Sequence, residues 1–201
     1  MYRWRNALFI FLLVSSILAV VSAMRLQDFE KNAGRIAEQS VRSGASETSR
    51  VISELRRRIA LFAEERRGLL FALAEDPSDK AIYRQLTGEL EKHFPNFFAA
   101  TLADGNGVAM LEGLDSLVGK GCRRDIQQFV GHTETHGVYI HGSPKKNPHH
   151  FDIMVPFVFP SGEEGVFFVS FYAKLLATIL QSIEVPNHNL YLTISKPKGK
   201  G

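Results

Sequence analysis

The sequence predicts an α+β fold, in which a long N-terminal helix packs on an antiparallel sheet of about five to six strands with short flanking helices. Three observations predict it. From Met24 to Ala74 there is no proline, and apolar or small residues recur every three or four positions. After Phe94 the chain breaks into short apolar runs separated by Gly, Asn and Asp turns. Most of the 15 phenylalanines also lie in that second half, which is therefore where the core should form.

The first element is an uncharged apolar run over residues 7–23, preceded by Arg3 and Arg5 and followed by Arg25. Its 17 residues are at the short end of a membrane-spanning helix. They exceed the core of a signal peptide, typically about 7–15 residues. The segment reads as a transmembrane anchor. A signal peptide cut near Val21-Ser22-Ala23 is the alternative. Residues 1–6 then form a short cytoplasmic tail. The rest of the chain is expected in the periplasm, on a single pass through a bacterial inner membrane.

Residues 24–50 are expected to form a helical stalk, and residues 51–195 a single domain. The stripe Leu26, Phe29, Ala33, Ile36, Ser40, Gly44, Thr48, Ile52, Leu55, Ile59 and Phe62 has heptad-like spacing. Between Ser40 and Ser49 it is small and polar, which suggests a loose seam and a weakly paired homodimer. Asp76-Pro77-Ser78-Asp79 breaks the helix, and Ser78 or Asp79 can cap the next one over Lys80 to His93. Phe97 to Ala103 and Val108 to Leu111 flank Asp104-Gly105-Asn106-Gly107 and predict a hairpin. A short helix over Arg123 to Gly131 follows, then strands over Gly137 to His141, His150 to Phe159 and Val166 to Tyr172. Ala173 to Ile183 is amphipathic. Asn189 to Ile194 is a last short strand, and residues 196–201 are a basic tail. Phe151, Ile153, Val155 and Phe157 share one strand face and Met154 and Pro156 the other, so both faces should be covered.

Composition narrows the function classes. Apolar residues are 45% and charged residues 22%, which fits a folded chain rather than a disordered tail. The net charge is +3, with acidic and basic residues interspersed. No one-sided basic stripe with interleaved aromatics marks nucleic acid as a partner. One cysteine allows no internal disulfide.

The hairpin Asp104-Gly105-Asn106-Gly107-Val108, the loop and helix Leu117-Val118-Gly119 and Arg123-Arg124-Asp125-Ile126, and the strands from His149 to Pro156 and Gly165 to Phe171 occur in a particular order. That order resembles the Cache family, the extracytoplasmic PAS-like sensor domains of bacterial chemoreceptors, sensor kinases and diguanylate cyclases. The resemblance covers about residues 50 to 195. It implies a PAS-like sheet, a pocket for a small molecule and signalling through the long helix. Cache proteins usually continue through a second membrane helix to an output domain, and no such segment is visible here. The chain is then either a fragment of a receptor or a sensor that signals through a partner. The ending Lys-Pro-Lys-Gly-Lys-Gly reads as a turn lacking its return strand, which favours a fragment.

Several residues could carry chemistry. His150 and Asp152 point the same way on one strand, and His141 could face them from its neighbour. They could line a pocket, hold a divalent metal, or simply pair to fix a loop, with His149 solvated. Arg123 offers a fork for a carboxylate, or is a surface residue. Tyr139, Tyr172 and Ser170 are candidate hydrogen-bonding groups, or ordinary packing residues. His132 and His136 stand four apart between Gly131 and Gly137, and a loop is the simpler reading. Cys122 precedes Arg123 and Arg124, whose charge could activate it, though a structural thiol is the plainer expectation. There is no Gly-rich phosphate loop and no nucleophile elbow. The expectation is a non-enzymatic sensor for a small ligand of unknown class, without a cofactor. An anchored adaptor and a metal-dependent hydrolase built on His141, His150 and Asp152 are the rivals.

Overall fold

The computed structural model describes residues 2–110, 120–131, 137–142 and 149–183. Helix α1 runs unbroken over Tyr2–Glu65. It continues after a turn at Arg66 as α2, Arg67–Glu75, and α3 follows at Lys80–His93. Strand β1 is Phe97–Ala103, α4 is Lys120–Gly131 and β2 is Ile140–His141. Strands β3, His150–Val158, and β4, Glu164–Tyr172, form the main hairpin, and α5 spans Lys174–Ile183. The α+β class and the long helix agree with the sequence expectation. The sheet is antiparallel in the order β1-β4-β3-β2.

Among the described residues this sheet has four strands, fewer than expected. The turn after β1 forms as predicted: Asp104 Oδ1 accepts from the amides of Asn106 and Val108, and Gly107 takes φ 73°. Among the described residues its return arm, to Met110, pairs through an Ala103–Ala109 bridge and the Met110 amide bonded to Leu102 O, and is not a strand there. The strand expected over Gly137 to His141 shrinks to two paired residues. The last strand, the loop 111–119, the His132/His136 pair, the loop 143–148 and the tail 196–201 lie outside the described residues.

Periodicity divides the sheet into two faces. Phe151, Ile153, Val155 and Phe157 of β3 join Phe167, Val169 and Phe171 of β4 against Leu55, Ile59 and Phe62 of α1. Each fully buried Phe contributes about 1.5–3 kcal/mol. The other face carries Met154, Val166 and Phe168 beneath Cys122, Ile126 and Phe129 of α4. Both faces are thus covered toward the middle of the sheet, while Pro156 and Val158 stay exposed at the far end of β3.

Two regions of α1 bear on function. Every residue from Leu8 to Leu13 is more than half exposed, in a stretch long and apolar enough to cross a membrane. Further along, the small residues expected to form a loose seam have a different use. Ser40 and Gly44 are buried, and a Cβ on Gly44 would lie 3.5 Å from Leu180 Cδ2 of α5. Small side chains there let α5 approach α1, so this part of the stripe is occupied within one chain.

Candidate functional site

The α4-covered face of the sheet holds an acidic and imidazole group in an otherwise apolar layer. Strand register assembles it. His141 is paired with His150, and Asp152 with Ser170. His150 and Asp152, two apart on β3, project to the same face, as the sequence predicts. The His141 and His150 rings are 5.6 Å apart. Helix α4 brings Cys122 over them, with Sγ 3.2 Å from His150 Nε2, and places Asp125 at the rim. His150, Asp152, Ser170 and Cys122 are all buried.

Burial makes the polar bookkeeping decisive. The Ser170 hydroxyl donates to Asp152 Oδ1 at 2.7 Å. Asp152 Oδ2 is buried without an aligned donor. His141 Nε2 lies 2.7 Å from Asp125 Oδ2 and 3.5 Å from Asp152 Oδ2, close enough for ion pairing but off the line of a directed hydrogen bond. The Asp125 carboxylate, more than the Asp152 charge, holds the His141 pKa above its ordinary value, against the opposing effect of burial. Burial pushes the Asp152 carboxyl upward, opposed by Cys122, Ser170 and the two imidazoles. The Cys122 thiol is also driven strongly upward, first by burial and then by the Asp152 and Asp125 charges. The thiol is shielded, in line with the expectation of a structural thiol rather than one activated by Arg123 and Arg124.

Two features of the surroundings have little sequence signal. The register of β1 steps from Phe97 opposite Phe171 to Ala99 opposite Ser170, leaving Phe98 as a bulge. Phe98 meets the His150 ring at 5.3 Å and Tyr172 at 5.0 Å. At the start of α4, a Cβ on Gly121 would come within 3.1 Å of His141 Nδ1. A larger residue there would push on the imidazole.

The fold brings together His141, His150, Asp152 and Ser170 from the sequence-based candidates. It leaves Arg123 exposed on the outer side of α4 and Tyr139 half exposed on the approach to β2. Tyr172 stays at the margin, against Phe98. His149 is exposed beside Gly142. Cys122, expected from the sequence as a structural thiol, and Asp125 join the group. A cleft of ≈ 560 Å³ opens elsewhere, between α1 and the outer edge of β3, lined by Arg56, Glu64, Arg67 and Val158. It is separate from the buried polar group.

Comparison with protein-family models, curated proteins and solved structures finds no match to this chain.

Proposed function

We propose that this chain is the ligand-sensing input module of a bacterial signal-transduction protein, anchored by residues 7–23 with its folded domain in the periplasm. The buried group of Cys122, His141, His150, Asp152 and Ser170 is its input site. The observation that carries this reading is the Asp152 carboxylate, buried with one oxygen lacking an aligned donor. A sheet kept only for architecture gains nothing from that arrangement, because a buried polar atom without a partner costs about 1–3 kcal/mol. Such a cost is understandable where a ligand supplies the missing partner. An adaptor with an inert apolar interior has no use for it.

The relay follows from strand alternation. Asp152 lies between Phe151 and Ile153, which pack on the α1 side, and Ser170 lies between Val169 and Phe171, which do the same. Repacking on the α4 side therefore shifts the residues that grip Leu55, Ile59 and Phe62. Leu26, Phe29 and Ile36, exposed on the membrane-proximal part of α1, offer an apolar stripe for a second copy, so that the shift passes through a homodimer.

A thermal-shift panel on the detergent-solubilised full chain tests this. It should contain amino acids, organic acids, amines, purines and divalent metal ions. A ligand at about a hundred times its Kd should stabilise the fold by about 2.7 kcal/mol and raise Tm by about 5–11 °C. Asp152→Asn should remove the shift. No response to any compound, or a response unaltered by Asp152→Asn, would contradict the assignment of the input site.

A further inference from the structure

We infer that the buried group binds one divalent transition-metal ion of the zinc type, through Cys122 Sγ, His141 Nε2 and Asp152 Oδ2. This rests on reading the group as a ligand site and names the class of ligand.

The donor set is the first argument. One atom each from Cys122, His141 and Asp152 lies within 4.8 Å of the others. Sulfur, imidazole and carboxylate together suit zinc and its neighbours, whereas calcium and magnesium take oxygen alone. Spacing is the second argument. In a tetrahedral zinc site with bonds of about 2.0–2.3 Å, ligand atoms stand about 3.3–3.6 Å apart. His141 Nε2 and Asp152 Oδ2 are separated by 3.5 Å, within that range. Little adjustment is needed to place an ion between them.

The third argument is independent of the cluster itself. Asp152 is only 4% exposed, and its Oδ2, on the His141 side, has no aligned donor. An ion would satisfy it. The supporting contacts also fit. The Ser170 hydroxyl fixes the other oxygen of Asp152. Asp125 Oδ2 lies 2.7 Å from the same His141 Nε2, so it must give way to the ion or join it as a ligand. The ligands come from α4, β2 and β3, so a bound ion would tie the covering helix to the sheet and close the short β2–β3 pairing.

The test uses the full chain in detergent, stripped with a chelator under reducing conditions and then titrated with zinc or cobalt. One zinc per chain is expected by elemental analysis. The cobalt form should show a thiolate-to-cobalt charge-transfer band and the strong visible bands of four-coordinate cobalt. Cys122→Ser should abolish the charge-transfer band, and His141→Gln should weaken zinc binding at least about tenfold. The spectrum of the unaltered chain needs no variant to fold. Zinc uptake far below one equivalent, or a cobalt form without the thiolate band, would overturn the inference. An organic compound that raises Tm when zinc does not would remove the metal and leave the sensor reading. Zinc bound through Cys122 with no effect on α1 would keep the metal and remove the sensor.

Discussion

Phe167→Ala is expected to cost about 3–5 kcal/mol, a large part of the total stability of a domain this size. Phe167 has no exposed surface, lies on the central strand β4 and stacks on Phe62 of α1, with ring centroids 6.3 Å apart. It therefore joins the sheet to the helix at the centre of the interface. Truncation leaves a cavity between two rigid elements that cannot readily collapse. Phe167→Leu should cost less, because it restores most of the volume. The single cysteine gives a clean readout. Cys122 is fully buried, so pulse alkylation in increasing urea reports opening of the fold. The only tryptophan, Trp4, lies beside the apolar segment and does not report on the core. A Phe167→Ala midpoint close to that of the parent chain would mean that α1 does not dock on the sheet as described.

Asp152→Asn is expected to act in the opposite direction in the ligand-free chain. Removing the charge should raise stability by about 1–2 kcal/mol at neutral pH while abolishing ligand binding. The sign follows from burial, which raises the folded-state pKa of Asp152 above the ordinary carboxylate range. The charged carboxylate therefore destabilises the fold at pH values above that folded pKa. The penalty fades as pH falls through the folded pKa and is gone below the unfolded value, about 3.9. The advantage of the variant should thus be greatest at neutral pH and disappear in acid. A strongly destabilised Asp152→Asn chain would identify the carboxylate as a structural element, partnered by Ser170 and His141, and would weaken its assignment to an input site.

Local signals in the sequence placed much of the fold. Asp79 caps α3 as read, its Oδ1 accepting from the Ala81 and Ile82 amides, and α3 covers the expected Lys80 to His93. Alternation placed β3 and β4, and put His150 and Asp152 on one face. The signals that failed depend on distant partners. The small residues at Ser40 and Gly44 look like a poor coiled-coil seam until α5 is present to pack against them. The turn at Arg66 separates α1 from α2 inside a stretch that reads as one continuous amphipathic pattern. Cys122 joins the site from 28 residues before His150, and a lone cysteine carries no ligand spacing. The bulge at Phe98 depends on pairing with β4, which nothing in the sequence around Phe98 reveals.

The central claim is that the buried polar group communicates with α1 through the sheet. Hydrogen–deuterium exchange on the full chain, with and without saturating zinc or the most effective compound from the thermal panel, tests it most directly. The expected result is slower exchange in α4 and β2 together with changed exchange over residues 51–63 of α1, both absent in Asp152→Asn. Protection confined to α4 and β2, with α1 unchanged, would contradict the relay and leave a ligand site without a path to the membrane.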